Sequence, residues 1–442
     1  MKRSRITTLI LSFIMVSSLV GCGTKSTSTS SSSTKDPVTV TMFIQKNAID
    51  AWGQKMKDQF EAQNKDIKIE FNILAEGVDS FQKMDMSVMS GDKTDVVLLQ
   101  NPNHYSKYVS GKLLKPINDI AKEANYDIKK VYGDYAKQYE NGTYYWLPDA
   151  VTMNIVYYNK GLFDAAKIPY PTGKWTWDDY TTIAKKLTDT SKGKYGSLME
   201  LDWEYYNYIL ANQKKTSAYK ADGTSNFDDP IWKTSLKWLN DLSAVEKVQP
   251  SLSEFMAKKL QFDSFLTGNY GMEMIGSWFI PSASDYTKYP RSWKLGVSAP
   301  PANADGKNIL SAGGGFGISK SSAHPKEAFK FITYMCENEY IVTGGLSARA
   351  DLKKEDILKA FKTTSEKLKG EVTPEELYNA CYPEGYGVAN EKIIGTASAQ
   401  INDLYAKETQ KYFFGKQSLD DTIKNLKTQA NDFIAKEKAS TK

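Results

Sequence analysis

Cysteine and histidine are nearly missing from this chain of 442 residues, with three of the first and two of the second. Cys22, Cys336 and Cys381 cannot make a disulfide scaffold in a chain this long. One bridge between Cys336 and Cys381 stays open at this level, with two free buried thiols as the expected state. His104 and His324 lie in no cluster with metal-ligand spacing, so no metal site is expected. The chain has no Gly-x-Ser-x-Gly nucleophile turn, no His-Glu-x-x-His and no phosphate-loop lysine motif. GGGFG (313–317) misses the dinucleotide-binding spacing because Ile318 takes the sixth place. No cofactor is expected. Excess charge is lacking too. The formal net charge of +5 drops to +2 when Lys2, Arg3 and Arg5 leave with an N-terminal leader. No block of Lys and Arg forms a stripe, so nucleic acid is not an expected partner. Outside the N-terminus, no apolar run approaches a membrane span.

What is present begins at that N-terminus. A basic start, MKRSR, precedes ITTLILSFIMVSSLVG, the pattern of a signal peptide over 1–21. Leu19-Val20-Gly21-Cys22 resembles the bacterial lipobox. That resemblance implies diacylation of the Cys22 sulfur and cleavage before it. The next stretch, GTKSTSTSSSSTKDP, has nothing to pack, so 22–37 reads as a lipid-anchored flexible tether. An extracytoplasmic lipoprotein on the cell membrane, facing outward, is the expected location.

The remaining length argues for about two domains. VTVTMFIQ (38–45) and IKIEFNIL (67–74) read as strands, and DVVLLQ (95–100) as an apolar strand, buried on both faces if the sheet is parallel. Helical periodicity over 51–64 and 81–91 falls between them, which is the α/β signature. Further strands are expected at 143–148, from 153, at 270–275 and at 294–301. Thr176 with Asp179, and Thr373 with Glu376, are capping boxes that start helices. Helices are expected near 203–213, 230–245, 254–268, 325–335, 353–368, 396–412 and 419–435. Aromatic residues make up 12% of the chain, with nine Trp and 27 Tyr, more rings than two cores require. Some should line a working surface.

Four stretches carry a resemblance to a known family: 90–119, 144–180, 265–278 and 310–335. In this order, behind a lipobox and tether, they are similar to the bacterial extracellular solute-binding proteins of family 1, the carbohydrate receptors of ABC importers. The resemblance implies an α/β fold with two lobes, of the periplasmic-binding-protein type II kind. Lobe one would take 38–147 and 313–345, and lobe two 149–310 and 348–440. Crossovers would fall near Pro148, Ala312 and Leu346. It further implies a sugar or oligosaccharide in the cleft, hinge closure over it, and ABC permease subunits as partners of a monomer.

Ligands of open α/β sheets bind beyond the carboxyl ends of strands. A sugar needs ring platforms and hydroxyl partners. These rules nominate Gln45, Asn101, Asn103, Asp149, Thr152 and Trp278. Trp278 also matches a position where the family stacks a ring on sugar. Trp203, Tyr205, Gly314, Arg349 and Tyr386 complete the candidate set, while Trp175 and Trp177 are expected to pack a helix start. The competing readings are a receptor for a peptide or another solute, and a glycoside hydrolase. The second needs two carboxylates across the bond, and Asp202 with Glu204 are the nearest such pair.

Overall fold

Apolar residues alternate through 38–45 and 67–74, so each segment buries one face. In the computed structural model these are β1 (Val38–Gln45) and β2 (Ile67–Leu74), paired in parallel from Val38 opposite Ile67 to Gln45 opposite Leu74. The structure describes residues 36–74, 79–136, 142–201, 208–302, 309–384, 387–389 and 392–440. The expected leader, Cys22 and the tether as far as residue 35, and Asp202, Trp203, Glu204, Tyr205 and Tyr386, lie outside them. The other strands are β3 (Val96–Leu99), β4 (Trp146–Pro148), β5 (Val151–Asn159), β6 (Tyr195–Leu198), β7 (Tyr270–Gly276), β8 (Leu295–Ser298), β9 (Ile309–Ala312), β10 (Gly315–Ile318) and β11 (Gly387–Ala389).

They form two sheets. The first runs β2-β1-β3-β10-β4, and the second β11-β9-β5-β7-β6 with β8 also on β5. β3 is buried on nearly all positions, yet its sheet is mixed, because β10 runs antiparallel to both β3 and β4. Helices cover both faces of each sheet. Helix Pro325–Thr343 packs Phe331, Ile332 and Met335 against β1 and β10, while Asp79–Ser90 and Pro102–Ser110 cover the other face. On the second sheet, Trp177–Leu187, Pro230–Ala244, Ser398–Phe413 and Leu419–Ser440 share one core. Among the described residues no helix is long and apolar enough to cross a membrane.

Local signals place several of these helices. Thr176 and Asp179 exchange hydrogen bonds, Asp179 N–H to Thr176 Oγ1 at 3.1 Å and Thr176 N–H back to Asp179 at 2.8 Å. Thr373 and Glu376 do the same. Each box satisfies orphan N–H groups that otherwise cost about 1 kcal/mol. Trp175 and Trp177 are buried at their helix start, their indoles donating to Ala299 O (2.7 Å) and Gln213 Oε1 (2.9 Å). Two expectations change. The first helix starts earlier, at Lys46, and passes through a wide turn at Ile49–Gly53 before Gln54–Gln63. The expected helix 254–268 is split, into Leu252–Lys258 and a tight 3₁₀ turn at Phe262–Thr267. Lys259, in the left-handed region at φ 52°, ends the first piece. Cys336 and Cys381 are both buried and free.

One buried group runs against its surroundings. Glu273, in the middle of β7, is 1% exposed, and its Oε2 has no hydrogen-bond partner. Burial first, then the negative charges of Glu200 and Asp263, push its carboxyl well above the usual range. The folded protein therefore holds a proton that the unfolded chain releases near its ordinary pKa. Stability falls as pH rises from there through the folded pKa. Glu273→Met removes this penalty. Melting temperatures taken from acid to mildly alkaline pH should show the variant gaining on the wild type as pH increases. Parallel curves would show that Glu273 does not titrate in this way.

Candidate functional site

The pairing registers bring the ends of both sheets to one junction. Gln45 ends β1, Leu99 ends β3, and Gly315 of β10 lies opposite both Leu99 and Pro148. On the second sheet Val151 lies opposite Ala312, and Asn154 opposite Gly276. The chain passes between sheets through Asp149-Ala150 and Gly313-Gly314, and a third segment, Leu346–Ala348, joins them. Asp149 N–H donates to Gly314 O (3.2 Å) and Gly313 N–H to Ala150 O (3.0 Å). Val151 N–H donates to Leu346 O (3.1 Å), and Ala348 N–H to Asp149 O (3.3 Å). Glycine is required for this closeness. A Cβ on Gly313 would sit 2.6 Å from Ala150 O, and one on Gly315 2.5 Å from Leu147 O. Three adjacent crossovers with few side chains are a place where two halves can pivot.

Trp278 stands at this junction. It follows the end of β7 and remains 39% exposed, whereas Trp146, Trp175, Trp177 and Trp232 are buried. Its indole lies against Gly276, where a Cβ would fall 2.2 Å from Trp278 Nε1 and 2.8 Å from the Thr152 methyl. Phe262 braces it edge-on, with ring centroids 5.3 Å apart at 84°. Ser277 Oγ accepts from Met153 N–H (3.3 Å), fixing the turn beneath the ring. Thr152 and Asn154 alternate with the buried Val151, Met153 and Ile155, so both face the Trp278 side of β5. Asn154 Oδ1 is buried without a hydrogen-bond partner. An exposed ring beside a hydroxyl and an amide suits a ligand with an apolar face and hydrogen-bonding edges. Asn154 was not among the residues nominated from sequence, though the alternation in TMNIV puts it two residues from Thr152 on the same face.

The other candidates have local partners. Gln45 donates its amide to Ser80 Oγ. Asn101 Oδ1 accepts from His104 N–H (3.0 Å), at the start of the helix that also contains Asn103. Gly314 lies in the second crossover, where a Cβ would meet Leu99 O at 2.9 Å. Arg349 forks onto Asp351 through two bonds of 2.9 Å. Asp149 Oδ1 accepts from Ala150 N–H (2.7 Å), and burial raises its carboxyl to about 6. Trp278, Thr152, Gly314 and Asp149 thus meet at the junction. Arg349 follows the third crossover with its charge already matched.

His104 belongs to a support network. Its Nδ1 accepts from Gln100 N–H (3.3 Å), so its Nε2 donates to Asp85 Oδ1 (2.8 Å). Tyr108 (2.8 Å) and Lys107 also donate to Asp85. Burial alone would raise the Asp85 carboxyl, but bonds from His104, Lys107 and Tyr108 outweigh it and hold it at about 2. A depressed carboxyl contributes stability above its unfolded pKa, lost as pH falls toward the folded value. Asp85→Ala should cost about 2 kcal/mol in urea unfolding at neutral pH, and the gap should close between about pH 4 and 2. A gap that stays constant with pH would place the loss in packing instead. Among the described residues no group of three or more His, Cys, Asp or Glu is placed to hold a metal ion.

Comparison with known proteins agrees with this architecture. An ABC substrate-binding protein of Listeria monocytogenes, solved with cycloalternan, superposes with a TM-score of 0.74 at 24% identity, covering 90% of this chain and 100% of that one. The sugar-binding protein MalE of Xanthomonas citri gives a TM-score of 0.71 at 18% identity, over 91% and 99%. These likenesses show the two-lobed solute-binding fold. In sequence, the multiple sugar-binding protein of Streptococcus mutans is 25% identical over 70% of this chain and 73% of its own. The arabinooligosaccharide-binding protein of Halalkalibacterium halodurans is 24% identical over 50% and 48%. Residues 45–341 match the family described as bacterial extracellular solute-binding protein, and this chain belongs to that family.

Proposed function

We propose that this protein is the extracytoplasmic receptor of an ABC importer, and that it takes a sugar or oligosaccharide at the junction of its two sheets. The exposed Trp278 ring carries this reading, set beside Thr152 and Asn154 at the strand ends. Rings stack on the C–H face of a sugar while amides and hydroxyls meet its hydroxyls. The names of two relatives and one structural neighbour, which refer to multiple sugars, arabinooligosaccharides and cycloalternan, favour the same ligand class. The lobes are 38–147 with 313–345, and 149–310 with 348–440. Binding favours the closed arrangement because only there do both lobes touch the ligand. The closed form is then the one a permease takes.

Lipid on Cys22 and the Ser/Thr-rich tether keep the receptor, a monomer, beside the membrane it serves. The reading is of a binder, not an enzyme. The family's named relatives bind, and Asp85, the most strongly depressed carboxylate beside a histidine, is consumed by support bonds. Thermal melting across a panel of mono- and oligosaccharides tests the proposal. A sugar that raises the melting temperature by mass action at micromolar concentration supports it. Silence across the panel, with stabilisation by peptides or another solute class, would replace it.

A further inference from the structure

A second concavity is built from other elements. Helix Ile209–Gln213 runs into the turn 214–219, and with Trp232 and the segment 392–394 it encloses a recess of about 260 Å³. Trp278, Thr152 and Asn154 do not line it. The volume is below that of drug-sized sites, so it suits a ligand of one ring. Both walls are fixed by their own hydrogen bonds. Lys215, in the left-handed region at φ 57°, ends the helix, its N–H donating to Asn212 O (2.9 Å) and Thr216 N–H to Ala211 O (2.9 Å). Asn226 Nδ2 donates to Ser217 O (3.0 Å). Tyr219 Oη crosses to the other wall and donates to Thr396 O (2.8 Å). Gly395 makes room for that ring, since a Cβ there would sit 2.6 Å from it. Asn402 holds Ile393, accepting from its N–H (3.2 Å) and donating to its O (2.8 Å). A preformed wall spares a ligand the entropy of ordering it.

The lining is chemically specific. Tyr208 and Trp232 are buried and meet edge-on, 5.8 Å apart at 64°, while Tyr219 is half-buried. Trp232 Nε1 is buried without a hydrogen-bond partner. So is Oη of Tyr405, whose ring backs Tyr208 at 5.3 Å. Unpaired buried polar atoms are few in native folds, and two of them stand at this floor. Lys215 and Lys392 line the recess and are exposed. No carboxylate is among the described lining residues, and among the described residues none pairs with Lys215. Burial, then the charge of Glu437, pushes the Tyr219 hydroxyl up to about 12, but Glu437 does not line the recess. The recess is therefore cationic, with a partly exposed ring and hydrogen-bonding groups beside the charge.

We propose that this recess is a second ligand site, independent of the crossover junction, and that it takes a single sugar ring carrying an anionic group, a hexuronate or a hexose phosphate. Lys215 and Lys392 meet the anion through charge-assisted hydrogen bonds. The Tyr219 ring offers an apolar wall to the C–H face of the sugar. Asn212, Thr216 and Ser217 supply an amide and two hydroxyls for its hydroxyl groups. A neutral sugar leaves the two lysines unused, and a bare anion leaves the ring and the amide unused. Discrimination against both follows from what each fails to touch. Carboxylate and phosphate share this chemistry, and separate probes distinguish them.

Calorimetric titration of the purified full chain tests the site at low ionic strength, where screening is weak. The probes are glucuronate, glucose 6-phosphate, glucose and inorganic phosphate. The proteins are wild type, Trp278→Ala, and a variant carrying both Lys215→Glu and Lys392→Glu. Both lysines are exposed, so the double variant should keep the wild-type melting temperature. At least one of the two sugar acids should bind wild type and Trp278→Ala equally, and the double variant at least about tenfold more weakly. The tighter of the two names carboxylate or phosphate as the preferred anion. Glucose or inorganic phosphate binding as tightly as the acids would overturn the ligand class. Undiminished binding to the double variant, or no binding of either acid at millimolar concentration, would overturn the site. Loss of the acid in Trp278→Ala would place it at the junction instead. The neutral sugar that most raises the melting temperature should bind the double variant as it binds wild type. Its loss there would merge the recess with the junction and overturn the independence of the two.

Discussion

Arg291→Ala should lower the unfolding free energy by about 3–5 kcal/mol, the cost of leaving a buried charge without its partner. The Arg291 side chain is fully buried and pairs with Glu371 at 2.8 Å. Its guanidinium also donates to Ala283 O (2.6 Å) and Tyr286 Oη (3.0 Å), and lies over the Tyr286 ring at 4.3 Å. Glu371 in turn accepts from Leu295 N–H (2.9 Å), at the first residue of β8. One guanidinium therefore joins the 282–295 segment, the edge of the second sheet and the turn before Pro374–Cys381. Truncation strands the Glu371 carboxylate and opens a cavity beside the Tyr286 and Trp293 rings. Arg291→Lys should rescue little, because an ammonium cannot fork or stack as a guanidinium does. Urea unfolding with an unchanged slope is the measurement. A loss below about 1 kcal/mol would show the pair to be solvated like a surface bridge.

Trp278→Ala should weaken sugar binding by about 1–3 kcal/mol, roughly 5- to 150-fold. The ring is exposed before ligand arrives, so its removal costs the fold little and the complex much. Phe262 and the Gly276-Ser277 turn hold the indole in place, which spares the ligand the entropy of ordering it. Trp278→Phe should recover part of the affinity. Calorimetry that gives wild-type affinity for Trp278→Ala would remove the ring from the site.

The elements most legible in the sequence were those written in short-range chemistry. Alternation marked β1 and β2, and the two capping boxes marked the helices after Thr176 and Thr373. The early start at Lys46 was not legible, because the helical repeat of Trp52, Met56 and Phe60 begins only near the end of the wide turn at Ile49–Gly53. Trp278 was nominated from its place after a strand end. Asn154 was passed over although it shares that face, since a single strand does not tell which of its faces opens at a junction. The Arg291–Glu371 pair lies 80 residues apart, and Asp149 meets Gly314 and Ala348 only because three crossovers converge. Sequence periodicity is silent on contacts of that range. The ring surplus was a partial guide. Trp146, Trp175, Trp177 and Trp232 went to cores, and Trp278 to the surface.

A crystal structure with the best sugar of the panel would test the central claim most directly. The account predicts sugar at the crossover junction, one ring flat on Trp278, with polar contacts from the Thr152–Asn154 face and from the strand ends of the first sheet. Sugar bound elsewhere, for example in the recess lined by Asn212, Tyr219 and Lys392, with Trp278 untouched, would contradict it.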